Sequence, residues 1–148
     1  MNIANKIISA CKLLDLDVSQ YEERELWVVP LDGYSLALSA EEENEIQLYC
    51  AMTSNQEIAY LDPIYLFISM HNQRVNNYHL EIDPKYKVVR SVTTISHNEL
   101  SDSLSVEMIR NSIVSCVNGI TEVAEYITKV AEGKCHPLQA IDKLHSDT

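Results

Sequence analysis

The sequence predicts an α+β domain: a mostly antiparallel five-stranded sheet covered by helices. Three observations carry this. Residues 105–133 repeat apolar side chains at steps of three and four, from Val106 through Ile109, Ile113, Cys116, Ile120, Val123 and Ile127 to Val130. That spacing draws one continuous stripe along a helix. Upstream, short runs alternate apolar and polar residues and are separated by turn residues, the mark of half-buried strands. The elements follow the order α-β-β-β-α-β-β-α, and hairpin-linked strands with segregated helices make an α+β domain.

The first helix is expected over residues 2–14, with Ile3, Ile7, Ala10, Cys11 and Leu14 on one stripe and Ile8 and Leu13 widening it. Residues 15–23 read as a polar connection. The first strand, 24–31, places Leu26 and Val28 opposite Trp27 and Val29. Asp32-Gly33 is a hairpin signal, because both residues tolerate the positive φ that a two-residue turn needs. Strand two, 34–39, alternates Tyr34, Leu36 and Leu38 against Ser35, Ala37 and Ser39. A charged turn, Glu41 to Asn44, leads to strand three, 45–53, with Ile46, Leu48, Cys50 and Met52 on one face. Asp62-Pro63 marks a helix start, an N-cap acceptor followed by a proline whose missing N–H costs nothing there. The helix it opens carries Ile64, Tyr65, Phe67, Ile68 and Met70, apolar almost all round. Such a helix is either buried within its own subunit or covered on one side by a second one; the second is the expectation carried forward. Strands four and five are expected at 77–82 and 86–96, joined by a turn at Asp83-Pro84-Lys85. Residues 97–102 form a polar link. Ser105 caps the long helix, Glu107 suits its positive end, and Gly133 can take the left-handed conformation that ends it. At about 1.5 Å per residue that helix spans roughly 40 Å. Domain organisation is one unit over 1–133 and a tail over 134–148 with a helical turn at Leu138, Ile141 and Leu144.

The chain has 148 residues, enough for one domain with a real core. Only 3 glycines and 4 prolines argue against low-complexity disorder. A formal charge of −11 repels nucleic acid and anionic membrane surfaces, and favours a partner with basic segments. No apolar run is long enough to cross a membrane, and the first residues lack the unbroken apolar core of a signal peptide. Cys11, Cys50, Cys116 and Cys135 are scattered, mostly on apolar positions. A reducing, cytoplasmic setting is therefore expected rather than a disulfide framework.

No phosphate-cradling glycine loop, CxxC, HExxH or GxSxG is present. His71, His79, His97, His136 and His145 lie far apart in sequence. Cys135-His136 is too few ligands for a metal site. Asp62 with Asp83, or the acidic run at 41–43, reads as solvated turns rather than a carboxylate pair. Cys50 and Cys116 sit in apolar patterns, where a thiol is inert. Nothing assembles a nucleophile, a base and an oxyanion site, so no enzyme, cofactor or metal is expected. Trp27 is either the centre of a small core beneath the first helix or an exposed binding residue.

The layout resembles that of class I type III secretion chaperones, the Tir-chaperone-like group. The resemblance lies in LDGYSLALS as a central hairpin strand, in NYHLEIDPKYKVVRSVTTIS followed by a capped long helix, in the small size and in the acidic balance. It covers about residues 2–132 and is one of layout and apolar spacing. Two departures stand out: SHNELSDSLS replaces an expected acidic-Pro-Leu motif before the last helix, and the tail past Gly133 is extra. The resemblance implies a cytosolic homodimer that binds the N-terminal segment of one or more secreted effectors in extended form and keeps it secretion-competent. Effector-binding pockets would lie between the first helix (Ile3, Ile7, Ile8) and the outer faces of the first strands (Trp27, Val29, Tyr49). The two-fold interface would use Tyr65, Phe67 and Ile68 of the middle helix with Val92 of the fifth strand. The alternative is a YbjN-like bacterial domain of the same layout without a secretion role.

Overall fold

In a computed structural model the described residues are 1–53, 61–98 and 104–146. The first helix, α1 (Ile3–Leu13), starts where the Asn2 side-chain oxygen accepts the Asn5 N–H at 2.8 Å. The next segment was expected to be only a polar connection, but it holds a two-residue edge strand, β1 (Ser19–Gln20). A pairing that short has no apolar alternation to announce it. The chain continues through β2 (Leu26–Leu31), β3 (Tyr34–Ser39) and β4 (Glu45–Met52). Asp32 and Gly33 close the first hairpin, with Leu31 opposite Tyr34. Only Gly33 takes a positive φ, 77°.

After β4 come α2 (Leu61–Asn72), β5 (His79–Ile82), β6 (Val89–Ser96), α3 (Val106–Ala131) and α4 (Pro137–Ser146). Asp62 is not the cap of α2 but lies in its first turn, where a carboxylate still favours the positive helix end. β6 begins later than the sequence suggests. The Asp83 carboxylate accepts the Lys85 and Tyr86 N–H groups, and Lys87 turns through a φ of 57° before pairing can start. As expected, the Ser105 hydroxyl caps α3 by accepting the Met108 N–H, and Gly133 follows its end with a φ of 73°. The departure at 96–105 lies partly outside the described residues.

Among the described residues the sheet has six strands, not five, in the order β1-β2-β3-β4-β6-β5, with every neighbouring pair antiparallel. Register sorts each strand's residues onto two faces. One face carries Trp27, Val29, Leu36, Leu38, Ile46, Leu48, Cys50 and Ile95. These join Ile7, Cys11, Ile64, Phe67 and the α3 stripe in a single core. The stripe of α3 thus finds its partner in β4 and β6, with α1 alongside. The supposed tail is a ten-residue helix that packs on α2 and α3, with Ala140 and Ile141 inside the same core. Pro137 occupies its first position, and the His136 ring accepts the Leu138 N–H at 3.2 Å, which explains where it starts.

Candidate protein-interaction surface

The opposite face of the sheet is where a partner can reach the strands. Val28 stands beside Ala37, Ala37 beside Tyr49, Tyr49 beside Val92 and Val92 beside His79, one row across five strands. None of Leu26, Val28, Ala37, Tyr49 or Val92 belongs to the core cluster or to the side chains packed against it. Among the described residues, the helices all lie on the other side. Arg90 reaches over this face: its guanidinium sits 4.4 Å from the Tyr49 ring centre and bonds Glu81 at 2.6 Å and Asp83 at 3.2 Å. The Tyr49 hydroxyl donates to Gln47, and partial burial pushes its pKa up. The row is therefore an apolar centre with an ordered ionic end, close to an acidic turn at 41–43.

The edge beside this face is short. β1 pairs only Ser19 with Val28 and Gln20 with Trp27, and both its residues are exposed. Pro30 lies further along β2, and a proline is tolerated there because, among the described residues, β2 has no partner strand on that side beyond β1. Two hollows flank α1. One, of about 390 Å³, includes Ile3, Lys6, Glu25, His97 and Leu104; Lys6 is buried there and donates to the Leu104 carbonyl at 2.7 Å. The other, of about 200 Å³, is apolar and includes Leu14, Leu16, Leu31, Val114 and Val117.

The structure scatters the residues proposed from sequence. Of the effector-binding set, Ile3, Ile8 and Tyr49 keep accessible surface. Ile7, Trp27 and Val29 do not: Trp27 is 2% exposed and the other two are fully enclosed. The alternation that separates Trp27 from Val28 turns the tryptophan toward the helices, so it is the core residue of the two readings. Of the dimer set, Phe67, Ile68 and Val92 are all buried within their own subunit, Val92 on the far side of the sheet from the other two. Only Tyr65 stands out, 51% exposed, with Leu66 beside it at 42%. The middle helix is thus not buried all round.

One constellation was missed from sequence. His71 and His145, 74 positions apart, meet with Nδ1 and Nε2 at 3.1 Å, and His71 Nε2 lies 2.8 Å from the Tyr78 hydroxyl. Nothing local pairs these residues; only the packing of α4 on α2 does. Burial first, and His145 and Arg74 second, push His71 down to about 4. The thiols behave as the apolar pattern suggested. Burial pushes Cys11 up to about 11 and Cys50 up to about 12, and raises Cys116. No group of three or more His, Cys, Asp or Glu is placed to hold a metal among the described residues. No helix among them is long and apolar enough to cross a membrane.

No protein-family description matches this sequence, and no curated protein does. Solved structures do. A chain of the HopA1-SchA chaperone-effector complex matches with a TM-score of 0.54 and 12% identity, over 89% of this chain and 98% of that one. A chain of the ExoT-SpcS complex from Pseudomonas aeruginosa gives 0.53 and 13%, over 82% and 98%. A chain of the ExsC-ExsE complex gives 0.57 and 13%, over 80% and 91%. At such identities the likeness is one of fold. The chain has the secretion-chaperone-like α+β fold.

Proposed function

We propose that this protein is a type III secretion chaperone that binds the N-terminal segment of one or more secreted effectors and keeps it secretion-competent. The observation that carries the reading is the one-sided sheet. All described helices lie on one face, and the other offers Val28, Ala37 and Tyr49 beside a two-residue outer strand. An extended segment can add to such an edge by main-chain hydrogen bonds and seat alternate side chains in apolar hollows. The hollows at the two ends of α1, bordered by Ile3 and by Leu16 and Leu31, supply such seats. The charge of −11 favours a segment with basic residues. In this reading Ile3, Ile8 and Tyr49 remain effector-facing, and Val28 and Ala37 take the place of Trp27 and Val29. The protein works in the cytoplasm as a homodimer, whose two-fold contact uses the solvent side of α2 at Tyr65 and Leu66. It carries no catalysis of its own.

The test is co-purification of the full chain with candidate secreted proteins from the same genome, beginning with those encoded next to it. An effector retained through its N-terminal segment, and lost in an Ala37→Arg variant that keeps wild-type stability, supports the reading. A folded protein that retains none of them overturns it and favours a YbjN-like domain without a secretion role.

A further inference from the structure

We propose that His71 and His145 form an acid-labile latch that fastens α4 to α2. α4 has ten residues, too few for a stable helix by itself. What holds it is modest: Pro137, Ala140 and Ile141 are its buried side chains, Leu144 is partly so, and Leu138 is left out in solvent. The histidine contact lies at the far end from the hinge at residues 132–136. It therefore decides whether the last turn stays down.

The pair stands on a fixed base. The Tyr78 ring lies so close to α3 that a Cβ built on Gly119 would meet its Cδ2 at 2.8 Å. Its hydroxyl meets His71 Nε2, and the Phe67 ring stacks on His71 at 6.1 Å between centres. With both imidazoles neutral the chain of bonds closes: Tyr78 O–H donates to His71 Nε2, and His71 Nδ1–H donates to His145 Nε2. The reverse arrangement, His145 Nε2–H to His71 Nδ1 and His71 Nε2–H to the Tyr78 hydroxyl oxygen, closes the same chain; in both, one N–H lies between the two rings. The first proton goes to His145, the less buried ring, and its charge then opposes a second on His71, which is 2% exposed. A second leaves two N–H donors facing each other at 3.1 Å with no acceptor between them.

Arg74 is the charged group among the described residues that acts on both rings. It lies in the turn after α2 and disfavours the charged form of both histidines. Glu122 of α3 acts on Tyr78. Asp142 and Lys143 of α4 are exposed. When α4 lifts, the histidines regain water and take up protons at their ordinary values, so acid favours the open form.

Hydrogen–deuterium exchange of the full chain at pH 7.5 and pH 5, corrected for intrinsic rates, tests the latch. Amides of residues 138–146 should exchange roughly tenfold faster at pH 5, while residues 109–127 of α3 keep their protection. Histidine NMR provides a measure on the wild-type protein alone. Both rings should titrate below the ordinary histidine value, in step with the loss of α4 protection. In His145→Gln, which keeps a hydrogen-bonding group but cannot titrate, the acid response of α4 should shrink. Equal protection of α4 at the two pH values overturns the proposal. So does titration of both histidines near the ordinary value with α4 still protected, or an undiminished acid response in H145Q.

Discussion

Gly119→Ala is a test of how tightly β5, α2 and α3 are joined, because two opposing effects decide its sign. In an ordinary helix interior the change stabilises by up to about 1 kcal/mol. Here the new methyl group would sit 2.8, 2.8 and 2.9 Å from Cδ2, Cε2 and Cζ of Tyr78. Normal contact begins near 3.4 Å, so the ring must retreat by 3.4 − 2.8, about 0.6 Å. Tyr78 is not free to do so, because its hydroxyl is bonded to a buried His71 at 2.8 Å. Overpacking of this kind costs about 1–3 kcal/mol. Set against the full helix gain, the net effect is a loss of up to about 2 kcal/mol, or a fall in Tm of up to several degrees for a domain of this size. Urea unfolding read by the fluorescence of Trp27, the only tryptophan and buried in the core, measures it directly. In a Tyr78→Ala background the obstacle is gone, and Gly119→Ala should then stabilise. A Gly119→Ala protein more stable than the wild type, or no gain from Gly119→Ala in the Tyr78→Ala background, refutes the reasoning.

Further predictions follow from the same packing. Phe67→Ala should lose about 3–5 kcal/mol, because the ring is wholly enclosed. Tyr65→Ala and Leu66→Ala should move stability by no more than about 0.5 kcal/mol, while lowering the mass seen in sedimentation if the two-fold contact is there. On the open sheet face, Tyr49→Ala should leave the unfolding midpoint within about 1 kcal/mol of wild type and weaken effector retention; a loss of folding instead would place Tyr49 in the core. Acid should destabilise the whole chain through His71. Its folded value of about 4 lies below the ordinary 6.5, so its contribution is present above pH 6.5 and is lost as pH falls toward 4. The drop, at most about 3 kcal/mol, should be smaller in His71→Gln, as denaturation at pH 7 and pH 4.5 would show. Cys135, half-buried, should react with a disulfide reagent well before the enclosed Cys11, Cys50 and Cys116; equal rates would mean that the core opens readily.

The amino-acid sequence by itself determined the elements and their faces. The three-and-four spacing of Ile109, Ile113, Cys116 and Ile120 fixed α3. The alternation through Leu36 and Leu38 fixed an inner face for β3, and Ser105 fixed where the long helix starts. Those are local signals, written within a few residues of where they act. Which of two faces is covered is a different kind of fact. Trp27 and Val28 differ by one position in β2, and either could have faced the helices on pattern alone; the crossing of α1 and α3 over one side of the sheet put Trp27 inside. Phe67 and Tyr65 part company on α2 for the same reason. The edge strand β1 escaped notice because two polar residues carry no period, and the last helix reads from sequence as a single turn at Leu138, Ile141 and Leu144 because its cap is a histidine. The His71–His145 contact was beyond any local reading, since the 74 positions between them close only when α4 folds back onto α2. Local chemistry sets each element; long-range burial, which no short stretch encodes, decided which residues are core, which are surface, and which distant side chains meet.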